Sequence, residues 1–177
     1  DVSFKMMSND KTVYDVSIQD LSKRITAIYG NAHDKNMLPI KMNKEPYKIS
    51  GFAGNLSMVK KRRGEQYLFL NGRFIHNRLL NSAVYSAYQS LVKRGEFPFF
   101  VLFLNISNDS FDVNVHPAKL EVKFKNEWQI YHMIKSAVSI PLADLIKVIP
   151  EYRKYDLKTK FDSQAGISLP LYPQQYP

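Results

Sequence analysis

Two apolar runs on either side of an amphipathic helix constrain the fold of this chain more than any other feature. Gln66–Leu70 is nearly continuously apolar, which is typical of a strand buried on both faces of a sheet. Phe99–Ile106 is a second buried strand. Between them, apolar residues recur at helical spacing from Asn77 onward and define one inner stripe: Leu79, Leu80, Ala83, Val84, Ala87, Tyr88 and Leu91. Lys93 and Arg94 in the last turn, followed by Gly95, predict where this helix ends.

The residues before this unit predict a hairpin, a helix and two strands. The hairpin turns at Ser8–Lys11, and the helix begins near Ser17 and Asp20, which have a spacing similar to a capping box, and ends at Gly30. The strands are predicted over Leu38–Met42 and Tyr47–Leu56. Gly51 and Gly54 in the second strand suggest bulges or close backbone approaches.

The residues after this unit predict two more strands, a long helix and a tail. The helix starts near Asn126 and is expected to kink or restart at Pro141. Beyond Pro150 the periodicity fades, so residues 1–149 are predicted to fold as one domain and 150–177 to form a tail or the start of a linker. This order of elements indicates an α+β fold in which a mixed sheet carries helices.

The amino-acid composition limits the classes of partner that the chain is expected to bind. Lysine and arginine exceed the acidic residues, which gives a net charge of +9 and favours a polyanion such as nucleic acid as partner. The chain has no cysteine, which excludes disulfides, thiolate metal sites and cysteine nucleophiles. No run of apolar residues is long enough to predict a membrane span. A basic domain without such a partner is the alternative reading.

Catalytic motifs are not found. The sequence has no phosphate-binding glycine loop, no nucleophile elbow and no zinc-protease motif. Its four histidines, His33, His76, His116 and His132, do not have the spacing of metal ligands. The chain by itself is therefore not expected to be an enzyme or to bind a metal or cofactor.

The segment Asp112–Phe124 (DVNVHPAKLEVKF) has the sharpest local pattern. Apolar and polar residues alternate on both sides of Pro117, which predicts strands over Phe111–Val115 and Leu120–Phe124 joined by a stiff corner. Lys119 lies at the exit of this corner, where a rigid backbone would place its ammonium group against a phosphate. A solvated turn lysine is the alternative.

Three sequence blocks resemble the MutL family of DNA mismatch repair ATPases. Asp112–Phe124 resembles the family signature D-V-N-V-H-P-A-K-x-E-V-[KR]-F, Tyr67–Ile75 resembles the block containing F-V-N-G-R, and Arg24–Gly30 resembles R-[IL]-x-x-[IL]-[YF]-G. The blocks have the order and spacing of the family. The N-G-R form is similar to bacterial members.

The resemblance implies the transducer domain of such a protein. The fold implied is a two-layer α/β sandwich with a left-handed βαβ crossover, similar to the gyrase B transducer and a ribosomal-protein domain. An ATPase domain of the gyrase/histidine-kinase type would precede it and is absent from this chain. In the intact protein that domain would bind ATP and Mg, and the expected partners are DNA, the mismatch-recognition protein MutS and a second copy. The expected location is the bacterial cytoplasm, with nucleoid association during action on DNA.

The resemblance also assigns roles to residues. Lys119 aligns with the lysine that reaches the γ-phosphate of ATP, while Asn114, His116 and Pro117 would shape the corner that holds it. Arg78 aligns with a DNA-contacting arginine. Arg73 and the loop cations Lys60, Lys61, Arg62 and Arg63 are further candidates for contacts to backbone phosphates.

Other interpretations remain open at the level of sequence. A basic RNA- or ribosome-binding α/β domain without ATP coupling is the main alternative, and a hydrolase that uses His116 with Asp112 or Ser110 is a weaker one. Trp128 suits either the core or the rim. Five aromatic residues could be mistaken for a base-stacking platform but are predicted to pack in the core: Phe69, Phe74, Phe99, Phe100 and Phe103.

Overall fold

The computed structural model of the chain describes residues 2–88, 91–107, 110–112 and 122–148. It begins with two antiparallel strands, β1 (Phe4–Ser8) and β2 (Lys11–Val16). Asn9 and Asp10 form the turn with φ angles of 47° and 59°, a conformation that asparagine and aspartate adopt more readily than most residues. The predicted hairpin is confirmed.

Helix α1 (Leu21–Tyr29) begins later than predicted. The Asp20 carboxylate accepts a hydrogen bond from the Lys23 backbone N–H at 2.9 Å, so Asp20 and not Ser17 is the N-cap. This hydrogen bond also lowers the pKa of the Asp20 carboxyl. The end of the helix is as predicted, because the Gly30 N–H donates to the Thr26 carbonyl at 2.8 Å.

A five-stranded mixed sheet forms the centre of the molecule. Its strands in chain order are β3 (Met37–Lys44), β4 (Tyr47–Gly54), β5 (Gln66–Leu70), β6 (Arg73–Ile75) and β7 (Phe100–Asn105). Across the sheet the order is β3-β4-β7-β5-β6. Strands β5 and β7 are parallel, and the other neighbours are antiparallel. The mixed sheet is therefore confirmed, while the left-handed crossover between β5 and β7 stays a prediction.

Strands β4 and β7 approach each other closely at Gly51. This residue has a φ of +132°, and a Cβ atom there would lie 2.1 Å from the Val101 carbonyl oxygen. A Cβ atom on Gly54 would lie 2.8 Å from the Met58 Cβ. Both positions are therefore the close approaches that the sequence predicted.

Two helices, α2 (Arg78–Ala87) and α3 (Glu127–Val148), cover one face of the sheet. The larger hydrophobic core lies between these helices and the sheet. Every second residue of the central strands points into it, among them Ile49, Leu68, Leu70, Phe100, Leu102 and Leu104. Helix α2 ends at Ala87, so the prediction that Lys93 and Arg94 form its last turn is wrong. The Tyr88 side chain is fully buried at this point and its hydroxyl donates to the Gly54 carbonyl, which anchors the helix end to the sheet.

Helix α3 runs through Pro141 without a restart, so of the two outcomes predicted there the restart is wrong and the kink stays a prediction. The proline removes only the N–H that would bond to the Ala137 carbonyl. Val138 and Leu142, on either side of it, are both buried in the core and hold the helix in place. Within the described part of the chain, no helix is both long and apolar enough to cross a membrane.

The opposite face of the sheet is covered at one end by α1. A smaller cluster forms there: Ile25, Met37, Met58, Phe99 and Val101. The Tyr29 and Tyr67 hydroxyls, 2.6 Å apart, join α1 to β5. Burial raises the pKa of Tyr29. Phe69 and Phe103 are partly buried against this cluster.

Phe74 and Trp128, whose burial the sequence had left to be tested, both lie at the surface. Phe74 is 38% exposed, so its predicted place in the core is wrong, because β6 is at the edge of the sheet and no strand among the described residues pairs with its outer side. Trp128 is 59% exposed and lies at the rim of α3.

Replacing Gly51 with alanine is expected to lower the free energy of unfolding by more than about 2 kcal/mol, because the added Cβ meets the Val101 carbonyl in a backbone conformation unfavourable to alanine. Gly72→Ala is the matched control, since Gly72 also has a positive φ of 82° but open space around it. Its cost should stay near about 1 kcal/mol. Equal losses in urea unfolding would contradict the role of the close approach.

Candidate functional site

Arg73 is the first residue of β6, opposite Leu70 at the end of β5, and follows a turn that is tied to the neighbouring strand. Asn71 and Gly72 form the turn with φ angles of 46° and 82°. The Asn71 amide donates to the Ile106 carbonyl at 2.9 Å and accepts from the Ile106 N–H at 3.0 Å, and the Asn71 N–H donates to the Leu104 carbonyl at 2.9 Å. These bonds fix the turn against the end of β7. Arg73 therefore extends from a rigid backbone while its side chain stays exposed.

A small cleft lies beside Arg73. It has a volume of about 150 Å³ and is lined by Leu70, Asn71, Arg73, Ile75, Phe111 and Val122. Two short strands form its far side, β8 (Phe111–Asp112) and β9 (Lys123–Phe124). They are antiparallel, with Phe111 opposite Phe124. The predicted strands Phe111–Val115 and Leu120–Phe124 are therefore confirmed at Phe111–Asp112 and Lys123–Phe124, where they pair with each other.

Residues 113–121, between β8 and β9, lie outside the described part of the chain. They include Lys119, predicted to contact the γ-phosphate, and the corner residues Asn114, His116 and Pro117. Their roles stay predictions. What the structure places is the base of this segment, which lies next to Arg73 across the cleft.

Arg78 is the first residue of α2 and is exposed. The preceding Asn77 is buried, and its side chain accepts a hydrogen bond from the Leu80 N–H at 2.9 Å as the N-cap. The Asn77 amide also donates to the Glu127 carboxylate of α3 at 3.4 Å. Arg78 forms no ion pair with any residue that the structure describes.

The position of Arg78 is electrostatically unfavourable for the helix. The N-terminus of a helix has a partial positive charge, and a cation there lowers helix stability. The first turn of α2 has no acidic residue to offset this charge. The free N–H groups of the first turn and the Arg78 guanidinium together attract an anion. This arrangement suits a phosphate better than it suits the stability of the helix.

The loop cations lie at the other end of β5. Lys60 pairs with Phe97 through two backbone hydrogen bonds of 3.0 and 2.7 Å, and its ammonium group pairs with Glu65. The Arg63 guanidinium lies over the Phe97 ring at 4.9 Å. Lys61 and Arg62 are exposed and have no such partner among the residues described.

The six predicted DNA-binding residues therefore do not share one place. Arg73 pairs with Leu70 at the end of β5, β6 then runs back along β5 before Arg78 begins α2, and Lys60–Arg63 precede the start of β5. The length of β5 separates Arg73 from Lys60–Arg63 by about 16 Å. Asn71 and Asn77, which position the two arginines, were not singled out by the sequence reasoning for this role. Their signals were an asparagine before glycine in a turn and an asparagine before a helix.

Metal binding finds no support in this part of the chain. Among the residues described, no group of three His, Cys, Asp or Glu side chains is arranged to hold a metal ion. His33 is buried between aromatic rings, and neither of its ring nitrogens has a hydrogen-bond partner there.

Comparisons with known proteins agree on one family. The family model described as "DNA mismatch repair protein, C-terminal domain" matches residues 25–143. The DNA mismatch repair protein MutL of Christiangramia forsetii is 34% identical over 163 residues, covering 91% of this chain and 26% of that protein. MutL of Chlorobium phaeobacteroides is 36% identical over 144 residues, covering 79% of this chain and 23% of that protein. The chain thus spans about a quarter of the length of these relatives.

A solved structure shares the fold. The crystal structure of the N-terminal domain of a DNA repair protein matches with a TM-score of 0.63 over 78% of this chain and 45% of that chain. The sequence identity is 17%, so the likeness concerns the fold alone.

Substituting the two neighbours Asn77 and Arg78 should separate structural from surface roles. Asn77→Ala removes the N-cap bond and the bond to Glu127, and is expected to lower the free energy of unfolding by about 1–2 kcal/mol. Arg78→Ala is expected to change it by less than about 0.5 kcal/mol, because the side chain is exposed and unpaired. Thermal and urea unfolding of both variants measure this difference. A loss for Arg78→Ala as large as for Asn77→Ala would show that Arg78 supports the fold.

Proposed function

Because the chain belongs to the MutL-type DNA mismatch repair family, we propose that it is a transducer domain that couples ATP binding in an adjacent ATPase domain to conformational change and to sequence-nonspecific DNA binding. The main support is the position of two exposed arginines. Asn71 holds the turn before Arg73 beside the cleft that the base of the Lys119 segment lines, and Asn77 caps α2 directly before Arg78 and bonds to Glu127 of α3.

DNA binding would rest on the unpaired cations. Arg73, Arg78, Lys61 and Arg62 are exposed and would meet backbone phosphates without reading base sequence. Lys60 and Arg63 would contribute less, because Glu65 and the Phe97 ring already engage them. Sequence-independent contacts suit a repair protein, which has to act wherever a mismatch lies.

ATP coupling would rest on Lys119. In the intact protein the ATPase domain would bind ATP and Mg. ATP would bring negative charge, which the ATPase domain by itself would leave partly uncompensated. Lys119 would complete that site only when the two domains are closed, so nucleotide would shift the population toward closure. The chain would thus contribute one lysine to an ATPase without being an enzyme by itself.

The N-terminal hairpin is a suitable contact for that ATPase domain. Its strands leave large apolar side chains exposed: Phe4, Met6, Met7 and Val13. An isolated two-stranded hairpin is only marginally stable in water, and exposed apolar residues of this density favour cover by another domain. MutS and a second copy of the intact protein are further proposed partners, and the bacterial cytoplasm is the proposed location.

Arg78→Glu is expected to weaken binding of the chain to duplex DNA at every sequence tested. It should also reduce the slope of log affinity against log salt by about 1 or more, because at least one phosphate contact is lost. Fluorescence anisotropy over a salt series measures both quantities. Lys11→Glu, which makes the same charge change at the start of β2 in the hairpin, is the control and should reduce the slope less. Equal effects of the two variants, or tighter binding to structured RNA than to duplex DNA at the same salt, would favour a general RNA-binding domain instead.

Lys119→Ala in the intact protein is expected to lower ATP turnover at least tenfold, because a preorganised cation on a reacting phosphate contributes a few kcal/mol. Lys123→Ala is the matched control, since Lys123 is exposed on β9 of the same strand pair and should leave turnover unchanged. Circular dichroism checks that both variants fold. Unchanged turnover in Lys119→Ala would remove the phosphate role of this residue.

A further inference from the structure

One row of side chains crosses the sheet on the face opposite α2 and α3. The strand register places Lys41 beside Ser50, Ser50 beside Phe103, Phe103 beside Phe69, and Phe69 beside Phe74. We call this row the aromatic row. On this face α1 packs with Phe99 and Val101, and Phe69 and Phe103 are partly buried against that cluster, whereas Ser50 and Lys41 are exposed.

The two central rings of the aromatic row are stacked. The Phe69 and Phe103 rings have centroids 4.8 Å apart and planes 11° apart. This separation equals the distance between neighbouring strands, about 4.8 Å. The rings therefore stand side by side along the direction in which the strands are hydrogen-bonded. Phe74 follows Phe69 at the end of the row. The centroids of these two rings are 5.9 Å apart and their planes are at 68°, so the rings meet edge to face.

The second face of the Phe103 ring is directed toward β4, where the neighbouring residue is Ser50. Serine is small, and Ser50 is exposed. Beside it the backbones of β4 and β7 are held close together at Gly51, which keeps this position next to the ring. The space above Ser50 is thus a slot with one aromatic wall.

Lys41 forms the other side of the slot. It is exposed on β3, opposite Ser50, and forms no ion pair within the described residues. Lys48 lies in the next row of the same face, paired at 3.5 Å with the exposed Glu45. Asn43 is opposite Lys48 on β3. The slot is therefore bordered by positive charge and by hydrogen-bonding groups.

We propose that this slot binds an unpaired base of single-stranded DNA, which stacks on Phe103 above Ser50 while Lys41 contacts its phosphate. A planar group at stacking distance would extend the Phe69–Phe103 stack by one layer. A base within a duplex is already stacked on both faces, so the slot selects single strands. The inference deepens the proposed DNA binding and depends on it, but it uses a different face of the sheet from Arg73.

Nucleic acid fits the slot better than an apolar protein segment does. The features that border it are one ring face, an unpaired ammonium group and polar side chains, whereas a protein segment would require a broader apolar surface. Stacking on an aromatic side chain is tolerant of base identity. The slot therefore agrees with binding that does not depend on sequence.

Ser50→Ile tests the slot directly in the 177-residue chain, because it fills the space with a side chain that strands favour. The probes are an oligothymidine of about 12 nucleotides and a duplex with the same number of phosphates. Ser50→Ile is expected to weaken binding of the single strand roughly tenfold at fixed salt, to leave its salt slope unchanged and to leave duplex binding unchanged. Thr12→Ile, which adds the same side chain on an exposed strand position of the hairpin, should change neither.

Lys41→Gln separates the charge from the stacking. It should reduce the slope of log affinity against log salt for the single strand by about 0.7, the value for one phosphate contact. Phe103→Leu should weaken binding of the single strand and leave this slope unchanged. The slot is overturned if Ser50→Ile leaves the affinity for the single strand unchanged. It is also overturned if this variant weakens single-strand and duplex binding equally, or if it changes self-association of the chain and not DNA binding. Arg78→Glu distinguishes the two proposals, since it should weaken duplex binding whether or not the slot exists.

Discussion

The pairing of β7 with β4 and β5 is the constraint on which the rest of the structure depends. Gly51 allows β4 to approach the Val101 carbonyl so closely that a Cβ would lie 2.1 Å from it. On the other side, β7 pairs in parallel with β5 over five residues. Because side chains alternate along β7, Leu102 faces the helices and Phe103 faces the aromatic row. This pairing therefore sets both the core and the two surfaces proposed to bind DNA.

Two asparagines convert this frame into positions for exposed cations. Asn71 ties the turn after β5 to the end of β7, and Asn77 caps α2 and reaches Glu127 of α3. Arg73 and Arg78 follow them by two residues and one residue, respectively, and have no described ion-pair partner. Stability and binding are thus assigned to neighbouring residues. A buried amide that loses its partner costs about 1–3 kcal/mol, while an exposed arginine costs little.

The periodicity of the sequence predicted most of the helices and strands. Tertiary contacts determine the helix ends and the burial that it did not predict. The hairpin, Gly30, the close approach at Gly51 and the mixed sheet follow from local pattern. Ser17 was a plausible cap, but Asp20 bonds to the Lys23 N–H, and α2 stops where Tyr88 is anchored to Gly54. Phe74 reads as a core residue because sequence does not reveal that β6 is an edge strand. For the same reason, the separation of Arg73 from Lys60–Arg63 requires the strand order.

The alternation of side chains along β6 places the two proposed DNA-binding surfaces on opposite faces of the sheet. Arg73 and Ile75 have one parity, and Ile75 is buried in the core beneath the helices, so Arg73 belongs to that face. Phe74 has the other parity and ends the aromatic row. A duplex held at Arg73 and Arg78 would therefore not occupy the slot above Ser50, which lies on the opposite face and three strands away. If both proposals hold, duplex and single-stranded segments do not compete, and the chain would bind a junction between them more tightly than either segment alone, because the second contact becomes intramolecular.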